Sequence, residues 1–152
     1  PRALVYVLGD QPTFYEPTGG FAEAFTDGLR HEGIEVDVRT VPAEGRTAAG
    51  ELDAQTAADI VIYFANCTFT SDSNISRITW SYPQAPEVPR APTVPVVLIS
   101  IANPFHLQDL PSADAAINAY CPSPQTVRAV LESITGRAPF RGTSPVDAFT
   151  GS

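Results

Sequence analysis

Residues 3–29 read ALVYVLGDQPTFYEPTGGFAEAFTDGL, and they contain one complete strand–loop–helix unit. Ala3 to Leu8 is a continuous apolar run of strand length. An uninterrupted run of that kind marks a strand covered on both faces, as in a parallel sheet. It ends at Gly9-Asp10 and a loop holding Pro12 and Pro17. After Gly19-Gly20 the period changes. Phe21, Ala24, Phe25, Gly28 and Leu29 fall on one helix face, with Glu23, Asp27 and Arg30 opposite. Gly33 sits where a left-handed helix end belongs.

The pattern then repeats. Ile34, Val36 and Val38 alternate with Glu35, Asp37 and Arg39, which predicts an edge strand with one wetter face. Thr47 to Ala58 predicts a weaker helix, interrupted by Gly50. Ile60 to Ala65 (IVIYFA) and Val96 to Ile101 (VVLISI) predict two more buried strands. Pro104 to Leu110 predicts a short helix, and Ala115 to Ala119 a fifth, weaker strand. Ser123 is an N-cap residue with Pro124 at the first helical position. Val127, Val130, Leu131 and Ile134 then form an apolar stripe that Gly136 ends. The tail from Phe140 to Ser152 is expected to lie along the surface. Alternating strands and helices predict a three-layer α/β sandwich with a doubly wound, mostly parallel sheet of five or six strands. With strand 2 at an edge, the order is 2-1-3-4-5, as in flavodoxin-like folds.

One segment departs from the alternation. Between strands 3 and 4, Pro83, Pro86, Pro89, Pro92 and Pro95 recur every third residue, the period of a polyproline II helix. Helix is excluded there. The segment reads as a stiff strap that replaces a crossover helix. The other reading is a proline-rich ligand flanked by Arg90.

The 152 residues fit one domain, and the hydrophobic fraction of 43% is that of an ordinary globular chain. Net charge is −8, all nine basic residues are Arg, and they are scattered along the chain. Without a concentrated basic surface, nucleic acid and anionic membrane are not expected partners. No apolar run is long enough to span a bilayer. Met is absent, so the chain is expected to be a processed product or a piece of a longer one.

Ligands of doubly wound sheets sit at the carboxyl ends of the strands. Here those ends carry Gly9-Asp10, Asn66-Cys67, Asn103-Pro104 with His106 nearby, and Tyr120-Cys121. Nucleotide binding lacks its glycine motifs, and Asp10 and Glu16 would repel phosphate. Cys67 or Cys121 with His106 as base is a conceivable nucleophile pair, but no nucleophile-elbow glycines surround either. A Cys67–Cys121 disulfide would bridge two strand spacings, about 9.6 Å, whereas the bond needs Cα atoms within ~7 Å. Two free thiols are therefore expected. His31 and His106 have no ligand spacing, so no metal is expected, and no cofactor motif is present. Asp10 and Asp109 are the only carboxylates near that edge that a glycosidase pair would use.

The order of elements in the second half resembles the C-terminal domain of glycoside hydrolase family three. The resemblance rests on Ala57-Ala58-Asp59-Ile60-Val61-Ile62, on PVVLIS at Pro95–Ser100, and on Ala102-Asn103-Pro104-Phe105-His106-Leu107. Leu110-Pro111, Ala119-Tyr120, Ser123-Pro124, Gly136, Phe140, Gly142 and Ser144-Pro145-Val146 continue it. Asn103-Pro104-Phe105 and the tail are most similar to the β-N-acetylhexosaminidase branch, with a β-glucosidase-type member as the alternative. A free-standing α/β binding or scaffold domain is the reading that needs no resemblance. The family resemblance implies a single accessory α/β domain at residues 1–152, preceded in the parent by an N-terminal (β/α)8 barrel. That barrel would carry the nucleophile Asp and a His-Asp dyad within a Lys-His motif. This chain has no Lys, so no catalytic residue carries over. Glu87 lies in the strap, and Glu44 and Glu51 flank the weak helix. The implied partner is the barrel, with glycan contact at the domain edge. Arg77 and Trp80, with Asp10, Asn103 and His106, are the residues expected to face the substrate cleft or the barrel.

Overall fold

The computed structural model describes residues 1–12, 19–41, 48–67, 77–78 and 90–149. Its elements are β1 (Arg2–Gly9), α1 (Phe21–His31), β2 (Glu35–Val41), α2 (Ala48–Thr56), β3 (Ile60–Asn66), β4 (Val96–Ser100), β5 (Ala115–Asn118) and α3 (Pro124–Ile134). The expected short helix is a 3-10 turn at Pro104–Gln108. Asn103 caps it by accepting from Phe105 N at 2.9 Å. Five strands form one sheet in the order β2-β1-β3-β4-β5, with every neighbouring pair parallel. Trp80, Glu44, Glu87 and strap prolines 83, 86 and 89 lie outside the described residues.

The apolar run of β1 divides by parity, because successive side chains of a strand point to opposite faces. Leu4, Tyr6 and Leu8 enter one core with Tyr63, Leu98 and Leu110. Ala3, Val5 and Val7 enter the other, beneath Phe25 and Leu29 of α1 and Val127, Val130 and Leu131 of α3. Central β1, β3 and β4 are thus apolar on both faces, and β2 is the mixed edge strand. Gly28 lets α1 approach α3: a Cβ there would lie 2.3 Å from Leu131 Cδ1. Ser123 caps α3 by accepting from Thr126 N at 3.1 Å.

The weak helix is anchored by buried polar contacts beside the packing of Ala54 on the core, and this corrects the placing of Glu51 at its flank. Glu51 lies inside α2 and is 1% exposed. It accepts from Tyr6 Oη at 2.5 Å and from Arg39 at 3.0 Å. Burial, then the bond to Glu51, pushes the Tyr6 phenol far above its usual range. Gln55, also buried, accepts from Ala91 N at 2.9 Å. The strap's described end is held in the same way. Arg90 pairs with Asp114 at 2.6 Å, and Asp114 also accepts from Val96 N at 2.8 Å.

Candidate functional site

The carboxyl edge of the sheet is shaped first at the end of β1. Gly9 and Asp10 both have positive φ, 74° and 63°. A Cβ on Gly9 would meet Asn66 O at 2.5 Å, so the tight approach requires glycine. The turn aims the Asp10 carboxylate at α1. Asp10 accepts from Ala22 N at 2.8 Å and from Asn66 Nδ2 at 2.8 Å. Helix α1 begins at Gly20, which has no side chain to cap it. Asp10 supplies that cap from another element and places its anion at the positive helix end. An anion-binding helix start is therefore already filled from within. Asn66 Oδ1 is buried without a partner.

A second cluster follows β4. His106 is fully buried, and its Nδ1 lies 2.9 Å from Ser100 Oγ. Ser100 Oγ in turn donates to Asn103 O at 2.5 Å. The pair superficially matches a serine nucleophile and its base. With Ser100 1% exposed and His106 at 0%, no substrate carbonyl reaches them. Their geometry fixes the turn after β4. Asp10 and His106 thus sit in separate clusters, each serving a loop of the domain.

Arg77 donates from Nε to Asp109 Oδ1 at 2.5 Å, and Ile78 N donates to Asp109 Oδ2 at 3.2 Å. About half of the Arg77 side chain remains exposed while Asp109 is buried. Asp109 therefore holds Arg77 at this edge beside Gln108, and the two carboxylates of a glycosidase pair are both committed to internal bonds. Burial, with the Asp109 charge second, pushes the Cys67 thiol up to about 11. A thiol so protonated is a poor nucleophile. Cys67 and Cys121 are both free, the second exposed. Among the described residues no group of three or more His, Cys, Asp or Glu is placed to hold a metal. No helix among them is long and apolar enough to cross a membrane.

Sequence reasoning named Tyr120 at a strand end but did not include the aromatic rings at the β4–β5 corner among the cleft- or barrel-facing residues. Phe105 on the 3-10 turn and Tyr120 just after β5 are both partly exposed. Phe149 adjoins Ala148, whose carbonyl accepts from Gln108, and is 48% exposed. Tyr120 has φ 60°, and its hydroxyl bonds Ser144 of the tail. Strand-end position combined with an aromatic type was the available signal. Among the described residues the edge therefore presents Arg77, Asn103 and aromatic rings to solvent, and no accessible nucleophile paired with a base.

No protein-family model matches the chain. A Cellulomonas fimi protein named β-N-acetylglucosaminidase/β-glucosidase is 39% identical over 156 residues, which cover 99% of this chain and 28% of that protein. Among solved structures, the β-glucoside phosphorylase BglX superposes with TM-score 0.75 at 29% identity, over 99% of this chain and 26% of its own. The same enzyme bound to 2FGlc gives 0.76 at 30% identity, with the same coverage. A glycoside hydrolase family 3 β-N-acetylglucosaminidase from Paenibacillus sp. str. FPU-7 gives 0.63 at 19% identity, covering 94% of this chain and 26% of that one, a likeness of fold. The chain thus spans about a quarter of the length of the relatives it matches.

Proposed function

Because this chain is related over nearly its whole length to the C-terminal domain of glycoside hydrolase family 3 enzymes, we propose that it is the accessory, non-catalytic domain of a β-glycoside-cleaving enzyme of the β-N-acetylhexosaminidase type. The observation that carries this reading is the asymmetry of coverage: 99% of this chain against 28% of the curated relative. The residues of the edge agree with it. Among the described residues there, Asp10, Ser100, His106 and Asp109 are bonded within the domain and the Cys67 thiol is held protonated, while the Cys121 thiol is exposed. Chemistry then belongs to the remainder of the polypeptide, an N-terminal barrel that supplies the nucleophile and the acid/base.

In this role the carboxyl edge walls part of the glycan cleft. Arg77 is pre-positioned by Asp109 and keeps donor capacity for a hydroxyl or carboxylate on the ligand. Trp80, three residues on, offers a face for stacking on a sugar. Asn103 and Tyr120 flank the same edge; His106, through Ser100, holds the turn that carries Asn103, and Asp10 holds the start of α1. The test is steady-state kinetics of the complete enzyme carrying Arg77→Ala or Trp80→Ala. A raised KM on an aryl β-N-acetylglucosaminide with kcat retained supports cleft contact. Unchanged kinetics in both leaves this edge a purely structural part.

A second reading concerns the acceptor. The solved relatives at 29–30% identity are named phosphorylase, so the parent would pass the glycosyl group to phosphate instead of water. Release of glycosyl phosphate in phosphate buffer separates the two.

A further inference from the structure

The tail is stapled to the carboxyl edge of the sheet at two points. Just after β5 the Tyr120 hydroxyl bonds Ser144 Oγ. Ser144 Oγ donates to Val146 O at 2.6 Å and accepts from Val146 N at 3.3 Å, closing a local turn. At the second point Ala148 is buried, and its carbonyl accepts from Gln108 Nε2. Asp147 Oδ1 accepts from Phe149 N at 2.9 Å, and the Phe149 ring stands 48% exposed beyond that anchor. Gln108 uses both ends of its amide. Its Oε1 accepts from Arg77 Nη1 at 3.3 Å, which leaves Nε2 to hold the tail. Asp109 fixes the same guanidinium through Nε. In a 3-10 helix side chains three residues apart eclipse, so the exposed Phe105 shares the face of Gln108. One amide thus gathers a guanidinium and two exposed rings from three separate segments of the chain.

We propose that Phe149 and Phe105, placed beside Arg77 by Gln108, read the leaving group of the glycoside, with Gln108 as the positioning residue of this subsite. The ligand class is a second, β-linked sugar unit. A sugar ring offers an apolar face of C–H groups to an aromatic ring, and hydroxyls at its rim to guanidinium donors. This rests on the reading of the edge as a wall of the glycan cleft. In that reading the sugar being cleaved is held by the domain that carries the nucleophile. A wall supplied by the accessory domain then meets what lies beyond the scissile bond. Scattered exposed rings are ordinary on a protein surface. These two differ because a single amide ties both their segments to a guanidinium that a second side chain already fixes.

The experiment gives the complete enzyme two substrates that differ only in the leaving group. Di-N-acetylchitobiose releases a sugar, and methyl β-N-acetylglucosaminide releases a single carbon. In Phe149→Ala the ratio of kcat/KM, disaccharide over methyl glycoside, should fall about three- to tenfold, with the loss in the KM of the disaccharide rather than in kcat. Gln108→Glu still accepts from Arg77 but cannot donate to Ala148 O. It should reproduce the Phe149→Ala change, and the double variant should lose no more than either single one. Equal losses on the two substrates overturn the proposal, since a structural defect alone acts that way. Additive losses in the double variant overturn the positioning role of Gln108. A disaccharide KM raised by Arg77→Ala but not by Phe149→Ala overturns the subsite while the cleft reading stands. Disaccharide kinetics unchanged in both remove the cleft reading itself, and the subsite falls with it.

Discussion

Removing the Asp10 carboxylate tests how far the carboxyl edge depends on a cap delivered from outside its helix. In Asp10→Ala the Ala22 N–H loses its acceptor, a loss of about 0.5–2 kcal/mol at a helix start. Asn66 Nδ2 loses its partner as well, and a buried donor without an acceptor costs about 1–3 kcal/mol. Together these come to roughly 1.5–5 kcal/mol, reaching past the usual range for one substitution. That is a large share of the ~5–15 kcal/mol that holds a typical domain. Asp10→Asn is the matched control. Its carbonyl oxygen still accepts from Ala22 N, Asn tolerates the left-handed region, and its amide can donate to Asn66 Oδ1 if the Asn66 amide turns over. One Asn66 atom is then unpaired, as one is now, so a cost of about 1 kcal/mol is expected. Urea unfolding followed by circular dichroism measures both. A loss under 1 kcal/mol in Asp10→Ala, or equal losses in the two variants, refutes the capping argument.

Gly9→Ala places a Cβ 2.5 Å from Asn66 O at φ 74°; a Tm drop of roughly 5–12 °C is expected, and calorimetry showing a drop under 3 °C contradicts it. Thiol titration near pH 8 should label the exposed Cys121 quickly, while Cys67, pushed up to about 11, stays unreacted until the protein unfolds; two fast equivalents refute this. The Val96 N–H, then Arg90, holds the Asp114 carboxyl below its ordinary 3.8. A lowered folded value stabilises the protein above that pH and is lost as pH falls below it. Asp114→Asn should therefore lower the urea midpoint at pH 6, with the gap from wild type narrowing as pH falls below about 3.8; a gap that does not narrow there is the opposing result.

Strand order was readable because burial on both faces leaves a signature that one sequence shows. ALVYVL, IVIYFA and VVLISI are central, and the alternation at Val36 and Val38 marks an edge. Ser123-Pro124 announced α3 through chemistry local to the chain. The site was less legible because its bonds join distant residues. Asp10 was singled out as a strand-end acid, but its bond to Ala22 crosses a loop. A helix that starts at Gly19-Gly20 with no capping side chain was the hint that a cap arrives from elsewhere. Glu51 looked peripheral because α2 lacks an apolar face, and its partner Tyr6 lies 45 residues away. His106 looked available because a histidine after a strand is ambiguous until its burial is known.

Activity of this 152-residue chain beside that of its complete parent tests the central claim most directly. Both are assayed at equal molar concentration on aryl β-N-acetylglucosaminide and aryl β-glucoside, in buffers with and without phosphate. The account predicts turnover by the parent and none above background by the 152-residue chain. Turnover by that chain alone, abolished by Ser100→Ala or His106→Gln, would contradict it.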